Sequence, residues 1–515
     1  MRRRSKSLVL YLSFVFLLIF AVTPPSGFSQ KLEDKITVHK LKNGMTFVFM
    51  ERHKIPIVAT IYGYKVGAVD EVTGFTGISH ILEHMAFKGT TRIGTTDFEK
   101  ENVIMERINE LGAEWSKELR KGELADKMKI EKITGEMKKL EEEQKKYIVN
   151  LEIMDLYQKV GGIGVNASTG IDMTSFTANL PANQLETWCL IESERMKDPV
   201  FRQFYTERSV VQQERKQSVG SRPVLQLMEV FTATAFLAHP CRNPVIGWAS
   251  DIESVTLEEV KAFRNKYYVP NNCVAALVGD VYPEKTIPLI EKYFGNIPRG
   301  PDVPEVRTVE PAQLGERRVV VEGDAPSQLR IGYHKPGPPH KDAYVLYVAG
   351  MILAGETTSR MWKDFVDKRK IANQIWAAAN FAGQRHDNMF LFQGWPKEPH
   401  TNEELEKAIY EYVEKLKVEP VEAKELEKVK NGLEFQGTTS VAMNAGMAGR
   451  LMSAQLLHGD WRSALDWEKE TLKVTAEDIM AAAKKYFTPE NRTVGYLVRK
   501  VKDEGKMKVK IGDGK

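Results

Sequence analysis

Three features of the chain predict an α+β fold of two tandem, related domains, each a mostly antiparallel sheet packed with helices. The first is an internal repeat. Val255-Thr256-Leu257-Glu258-Glu259 recurs as Val474-Thr475-Ala476-Glu477-Asp478, Lys266-Tyr267 as Lys485-Tyr486, Pro270 as Pro489 and Asn272 as Asn491. One step relates every pair (474 − 255 = 491 − 272 = 219), and a constant offset marks a duplicated unit. Each copy reads helix, turn, strand. The second feature is the coexistence of strand-like alternation with helical periodicity along the chain. The third is a run of breakers, Pro298, Gly300, Pro301, Pro304 and Pro311, lying between the copies.

Taken in order, residues 1–29 read as a secretory signal peptide. Arg2, Arg3, Arg4 and Lys6 precede an apolar run at 8–22, and Pro24, Pro25 and Gly27 end it before small residues at a cleavage site. The chain is therefore expected to be exported, to the periplasm or the medium. The alternative is an uncleaved membrane anchor, for which the run is short. No cysteine follows it, so lipoprotein anchoring has no support. Residues 36–40 alternate and form a first strand. Asn43-Gly44 makes a hairpin turn, and 46–50 and 58–66 continue as strands separated by Pro56. Helices are predicted over 101–111, 185–196 and 204–217. A charged segment, about 117–159, carries Ile133, Met137, Leu140, Tyr147, Leu151 and Met154, with Gln144 in one slot. Their steps of four and three make a heptad seam. A helical arm or hairpin inserted in the first domain fits it, as does a single solvated helix. Residues 165–180 read as two strands around Gly170-Ile171-Asp172. The expected domains are 36–295 and 317–500, with a linker at 296–316 and a basic tail at 501–515.

Composition bounds the function. Hydrophobic residues at 42% and charged residues at 28% are ordinary for a globular protein, and a net charge of +4 over 515 residues gives no case for a nucleic-acid partner. The three cysteines, Cys189, Cys241 and Cys273, are too few for a disulfide framework and form no CxxC pair. Buried thiols are expected.

The chemistry points to Gly77-Ile78-Ser79-His80-Ile81-Leu82-Glu83-His84-Met85-Ala86-Phe87. On a helix, His80, Glu83 and His84 share one face, with Ile81, Leu82 and Met85 turned to a core. Two imidazoles at this spacing make a half-site for zinc, and a carboxylate beside them is placed to take a proton from an attacking water. The pattern is the inverted zinc-peptidase signature, His-x-x-Glu-His. A catalytic zinc wants a third protein ligand. Glu207 and Glu214, seven apart on one predicted helix face, are the candidates: either can reach zinc while the other bonds a ligand histidine, or both can lie on a solvated face. The second repeat has no such motif, so its role is structural or substrate-binding.

At these residues the chain resembles the pitrilysin and mitochondrial-processing-peptidase family of inverted-motif zinc peptidases. The resemblance runs over nearly all of residues 30–515. It rests on His80-Ile81-Leu82-Glu83-His84-Met85-Ala86-Phe87-Lys88-Gly89-Thr90, Val165-Asn166-Ala167-Ser168-Thr169, Glu207-Arg208-Ser209-Val210-Val211-Gln212-Gln213-Glu214, Pro244-Val245-Ile246-Gly247-Trp248 and Gly279-Asp280. It implies His80, His84 and Glu214 as zinc (Zn2+) ligands, Glu83 as general base, and Glu207 as an acid that supports the ligands. Asn166 and Ala167 would offer backbone groups to an extended peptide. The expected function is an exported zinc endopeptidase of peptides or unfolded polypeptides. The alternatives are a non-catalytic binding or assembly subunit, expected to have lost these metal residues, and a hydrolase of a non-peptide bond, which the edge-strand motif argues against. Family members that act alone carry an arginine and a tyrosine seven apart in the second half. Aligned on Gly459-Asp460-Trp461, those positions hold Met447 and Ala454, and Arg450 is followed seven later by Leu457. Either a related partner subunit or a second copy of the chain is then expected to complete the site, or another side chain of this same chain does so.

Overall fold

The structure, a computed structural model, describes residues 32–500. The predicted signal peptide and the 501–515 tail lie outside the described residues. The strands are β1 (Ile36–Lys40), β2 (Thr46–Glu51), β3 (Ile57–Tyr64), β4 (Ile163–Thr169), β5 (Thr174–Pro181), β6 (Cys273–Gly279), β7 (Arg317–Gly323), β8 (Gln328–Lys335), β9 (Ala372–Phe381), β10 (Asn388–Pro396) and β11 (Arg492–Arg499). Helices of the first half are α1 (Ile78–Met85), α2 (Phe98–Leu119), α3 (Lys127–Gln144), α4 (Glu152–Lys159), α5 (Leu185–Lys197), α6 (Phe204–Arg215), α7 (Pro223–Ala235), α8 (Ala249–Ser254), α9 (Leu257–Tyr267) and α10 (Pro283–Phe294). Those of the second are α11 (Lys341–Ala354), α12 (Asn402–Val418), α13 (Ala423–Ala442), α14 (Asn444–His458), α15 (Ser463–Lys473) and α16 (Ala476–Tyr486). No helix among the described residues is long and apolar enough to cross a membrane.

Apart from the extra edge strand β1, the two sheets have the same connectivity. The first runs β1-β2-β6-β3-β5-β4 and the second β7-β11-β8-β10-β9. Only the pairs β2–β6 and β7–β11 are parallel; every other pair is antiparallel. The duplicated α9–β6 and α16–β11 units explain this sameness. Thr256 and Thr475 each cap their helix in a reciprocal box with Glu259 and Asp478. Asn272 then donates to the carbonyls of Tyr267 and Lys65, and Asn491 to those of Tyr486 and His334. The repeated residues do the same work twice: they start the helix, end it, and hook the following strand onto its neighbour.

The halves also trade helices. Helix α7 of the first half lies on β7 and β11 of the second sheet, and α14 of the second half lies on β3 and β6 of the first. Gly495 makes the first contact close enough, since a Cβ there would sit 2.8 Å from the Phe231 ring. Gly63 does so for α14, where a Cβ would meet Met452 Sδ at 2.8 Å. Phe231 is fully buried between α7 and the second sheet. Phe231→Ala should lower the unfolding free energy by about 3–5 kcal/mol. The midpoint of denaturant unfolding measures this, and both halves should lose stability together.

The 117–159 segment departs from the predicted single seam. Helix α2 extends to Leu119, and α3 packs back on it as a hairpin that buries Ile133 and Met137. The seam stops at Gln144, whose amide reaches the buried Glu101 carboxylate at 3.1 Å. Gln144 is also the last residue of α3. Leu151, expected on the seam, is exposed with a left-handed φ of 56° just before the separate helix α4, which buries Ile153 and Tyr157 rather than Met154. The three cysteines are buried and free.

Candidate metal centre

Helix α1 forms where Gly77, at φ 86°, turns the chain into it. Ile78, Ile81, Leu82 and Met85 are buried in the first core, so His80, Glu83 and His84 face outward together. Both ends of the helix are held. At the N-terminus the buried Glu71 carboxylate accepts the N–H groups of Gly77 and Ser79, each at 2.7 Å. Burial pushes that carboxyl up to about 7, against the pull of the two donors. At the C-terminus Arg195 Nε donates to the Ala86 carbonyl at 2.9 Å, its charge balanced by the buried Glu192. An acid at the start and a cation at the end suit the helix dipole.

Helix α6 brings the acids. Phe204, Tyr205, Arg208 and Val211 are its buried face. Arg208 fixes it through bonds to the Val255 carbonyl (2.6 Å) and Ser116 Oγ (3.0 Å), with its guanidinium 4.5 Å from the Trp115 ring centroid. Arg215 pairs in bidentate fashion with Glu229 on α7, at 2.8 and 2.9 Å. Glu207 and Glu214 consequently point at α1.

His80, His84 and Glu214 each offer one ligand atom, and these lie within 4.8 Å of one another. Glu214 Oε2 is 3.7 Å from His80 Nε2 and 3.6 Å from His84 Nε2. Zinc bonds of about 2.0–2.1 Å in a tetrahedron would set such atoms about 3.3–3.4 Å apart, so the two Glu214 distances fit zinc after a small contraction. Glu207 Oε2 sits 3.5 Å from His84 Nδ1, on the other side of the ring, and its Oε1 meets Lys88 Nζ at 2.5 Å. The Glu207 bond and charge raise the His84 pKa. Burial works against ionisation of Glu207, but the His84 and Lys88 contacts outweigh it and lower its pKa. Burial, with His84 close by, lowers that of His80, whose Nδ1 is buried without a partner.

Glu83 opens onto two cavities. One, of about 390 Å³, also takes in His84, Phe87, Lys88, Leu151 and Glu207. The other, of about 470 Å³, takes in His80, Ala167, Ile171, Met228 and Phe381. Strand β4, an edge strand of the first sheet, borders the second cavity through Ala167, Ser168 and Thr169. Ala167 lines the second cavity, whereas Asn166 pairs with Thr177 of β5, whose hydroxyl reaches the Asn166 carbonyl at 3.4 Å. An edge strand leaves alternate backbone groups free for a further strand. Met447 and Ala454 are buried against the outer face of the first sheet. Arg450 donates to the Ala464 carbonyl at 2.7 Å and borders a separate cavity with Leu457, Tyr344 and Trp467. Two residues of the site escape sequence reasoning. Lys88, four after His84, carried a helical-spacing signal; Glu71 carried none.

The profile of the family described as Peptidase M16 inactive domain matches residues 254–433. That stretch contains none of His80, Glu83, His84 or Glu214. Zinc protease PqqE of Helicobacter pylori is 26% identical over 464 residues, covering 89% of this chain and 91% of that protein. The crystal structure of a protease from Helicobacter pylori gives a TM-score of 0.75 at 26% identity, over 90% of this chain and 99% of that one. The periplasmic protease PqqL of Escherichia coli shares the fold, with a TM-score of 0.66 at 15% identity, over 90% of this chain and 48% of that one. In its fold, its relatives and the profile match over residues 254–433, the chain is similar to the pitrilysin-like M16 peptidases.

Proposed function

We propose that the chain is an exported zinc-dependent endopeptidase that cleaves peptides or unfolded polypeptides. The main support is the meeting of one ligand atom each from His80, His84 and Glu214 within 4.8 Å, beside a glutamate that opens onto two cavities, one of them bordered by an edge strand. His80, His84 and Glu214 hold the metal. Zinc, when bound, lowers the pKa of water and polarises a carbonyl. Glu83 accepts the proton of the attacking water and returns it to the leaving amine. Glu207 bonds His84 Nδ1, fixing the ring so that Nε2 faces Glu214, and Lys88 keeps Glu207 ionised. The backbone around Asn166 and Ala167 takes the substrate as an added antiparallel strand. No covalent intermediate is required. Hydrogen-bond donors for the developing oxyanion come from a related partner subunit or a second copy, because Met447 and Ala454 are apolar and buried. The non-catalytic alternative would leave the converged metal ligands without a purpose. Export rests on the sequence of residues 1–29.

Metal analysis together with a peptide-library digest tests the reading. About one zinc per chain and internal cleavages are expected, with activity lost to a chelator and restored by zinc. Failure to bind zinc, or to cleave any peptide whether alone or mixed with a related chain, overturns it. Full activity from a dilute monomer would overturn the partner requirement alone.

A further inference from the structure

The second half lacks the metal motif, yet one of its loops reaches the first half at a particular place. The β9–β10 turn, residues 382–387, inserts Gln384 and Arg385 beside two acids of the metal-bearing half. Arg385 Nη1 bonds both carboxylate oxygens of Asp70 at 3.0 Å, across 315 positions of sequence, and both side chains are buried. The Gln384 N–H donates to Asp172 Oδ2 at 2.6 Å. Gly383, at φ 104°, allows the approach, since a Cβ there would stand 2.9 Å from Asp172 Oδ1.

Each of these acids is joined to a working element. Asp70 precedes Glu71, whose carboxylate holds the first N–H groups of α1. Asp172 lies in the turn that follows β4. The two segments are also laced together, with Ala68 N–H on the Gly170 carbonyl and Val69 N–H on that of Ile171, both at 3.1 Å. Thr169 Oγ1 reaches the Ser79 carbonyl at 3.5 Å, one residue from His80. A buried ion pair is a poor source of net stability but a strong constraint on geometry, because either charge left alone in the interior is costly.

We propose that the β9–β10 turn of the metal-free half is a clamp, with Arg385 as its positioning residue, that sets helix α1 and edge strand β4 in register with each other; its effect on catalysis rests on the peptidase reading above. The second half thereby has a task at the site without contributing a ligand. Helix α6 is fixed independently, through Arg208 and Arg215, so losing the clamp loosens α1 and β4 against a stationary Glu214.

Hydrogen–deuterium exchange on the full chain, without substrate, tests the clamp. In Arg385→Gln, protection in 77–85 and 163–173 should fall about tenfold or more, while α11 in the second core keeps its protection. If that variant fails to fold, Gly383→Ala replaces it and should give the same two-segment signature. Arg385→Lys, which keeps the charge but not the paired geometry, should recover part of the protection. If the chain hydrolyses peptides, KM should rise more than kcat falls, and kcat/KM should drop about 10- to 100-fold with zinc content kept. Unchanged exchange in both segments, or a uniform rise over both halves, overturns the clamp. Because exchange is read without turnover, a chain that cleaves nothing would sink the peptidase reading and leave this result standing.

Discussion

Glu83→Gln should abolish most hydrolysis while leaving zinc in place. The carboxylate is not among the three converged ligand atoms, so replacing it with an amide of the same shape removes no metal bond. It removes the only group on α1 that opens onto both flanking cavities and that can accept a proton from the attacking water. General-base catalysis contributes about 10²–10⁴-fold, equivalent to about 3–5 kcal/mol of transition-state stabilisation. The loss should fall on kcat, with KM little changed, because the substrate backbone is held elsewhere. Single-turnover kinetics on protein of measured zinc content checks this. Near-normal turnover of a zinc-loaded Glu83→Gln protein would remove Glu83 from the mechanism.

Glu214→Gln and Glu207→Gln should separate metal binding from ligand support. Glu214 Oε2 lies 3.6–3.7 Å from both Nε2 atoms, so its loss leaves two imidazoles and a weak amide, and zinc occupancy should collapse at low micromolar metal. Glu207 touches His84 from behind and is neutralised by Lys88. Its loss frees the ring to turn, and supports of this kind change metal affinity or activity by about 10- to 100-fold. Titration with a competing chelator reads the two affinities directly. The reverse ranking, with zinc lost from Glu207→Gln and kept by Glu214→Gln, would exchange their roles.

What could be read without coordinates is local in the chain. The His80–Glu83–His84 face follows from spacings of three and four on one helix, and the two-sheet α+β architecture from alternation and from a repeat of constant step. The paired helix–strand units appear where the repeated Thr256 and Thr475, Asn272 and Asn491 placed them. Other features depend on how distant elements cross. Glu207 and Glu214 lie seven apart on one helical face, so spacing cannot rank them; the approach of α6 to α1 puts one beside both Nε2 atoms and the other behind a ring. The heptad seam ran on in sequence past Gln144, but α3 ends there, where the Gln144 amide bonds Glu101, 43 positions away. The exchange of α7 and α14 between sheets, and the Asp70–Arg385 contact, leave no mark in the sequence at all. Hydrophobic period records which face of an element is buried, not against which partner, and a buried charge shows no sign of its mate until the fold brings the two together.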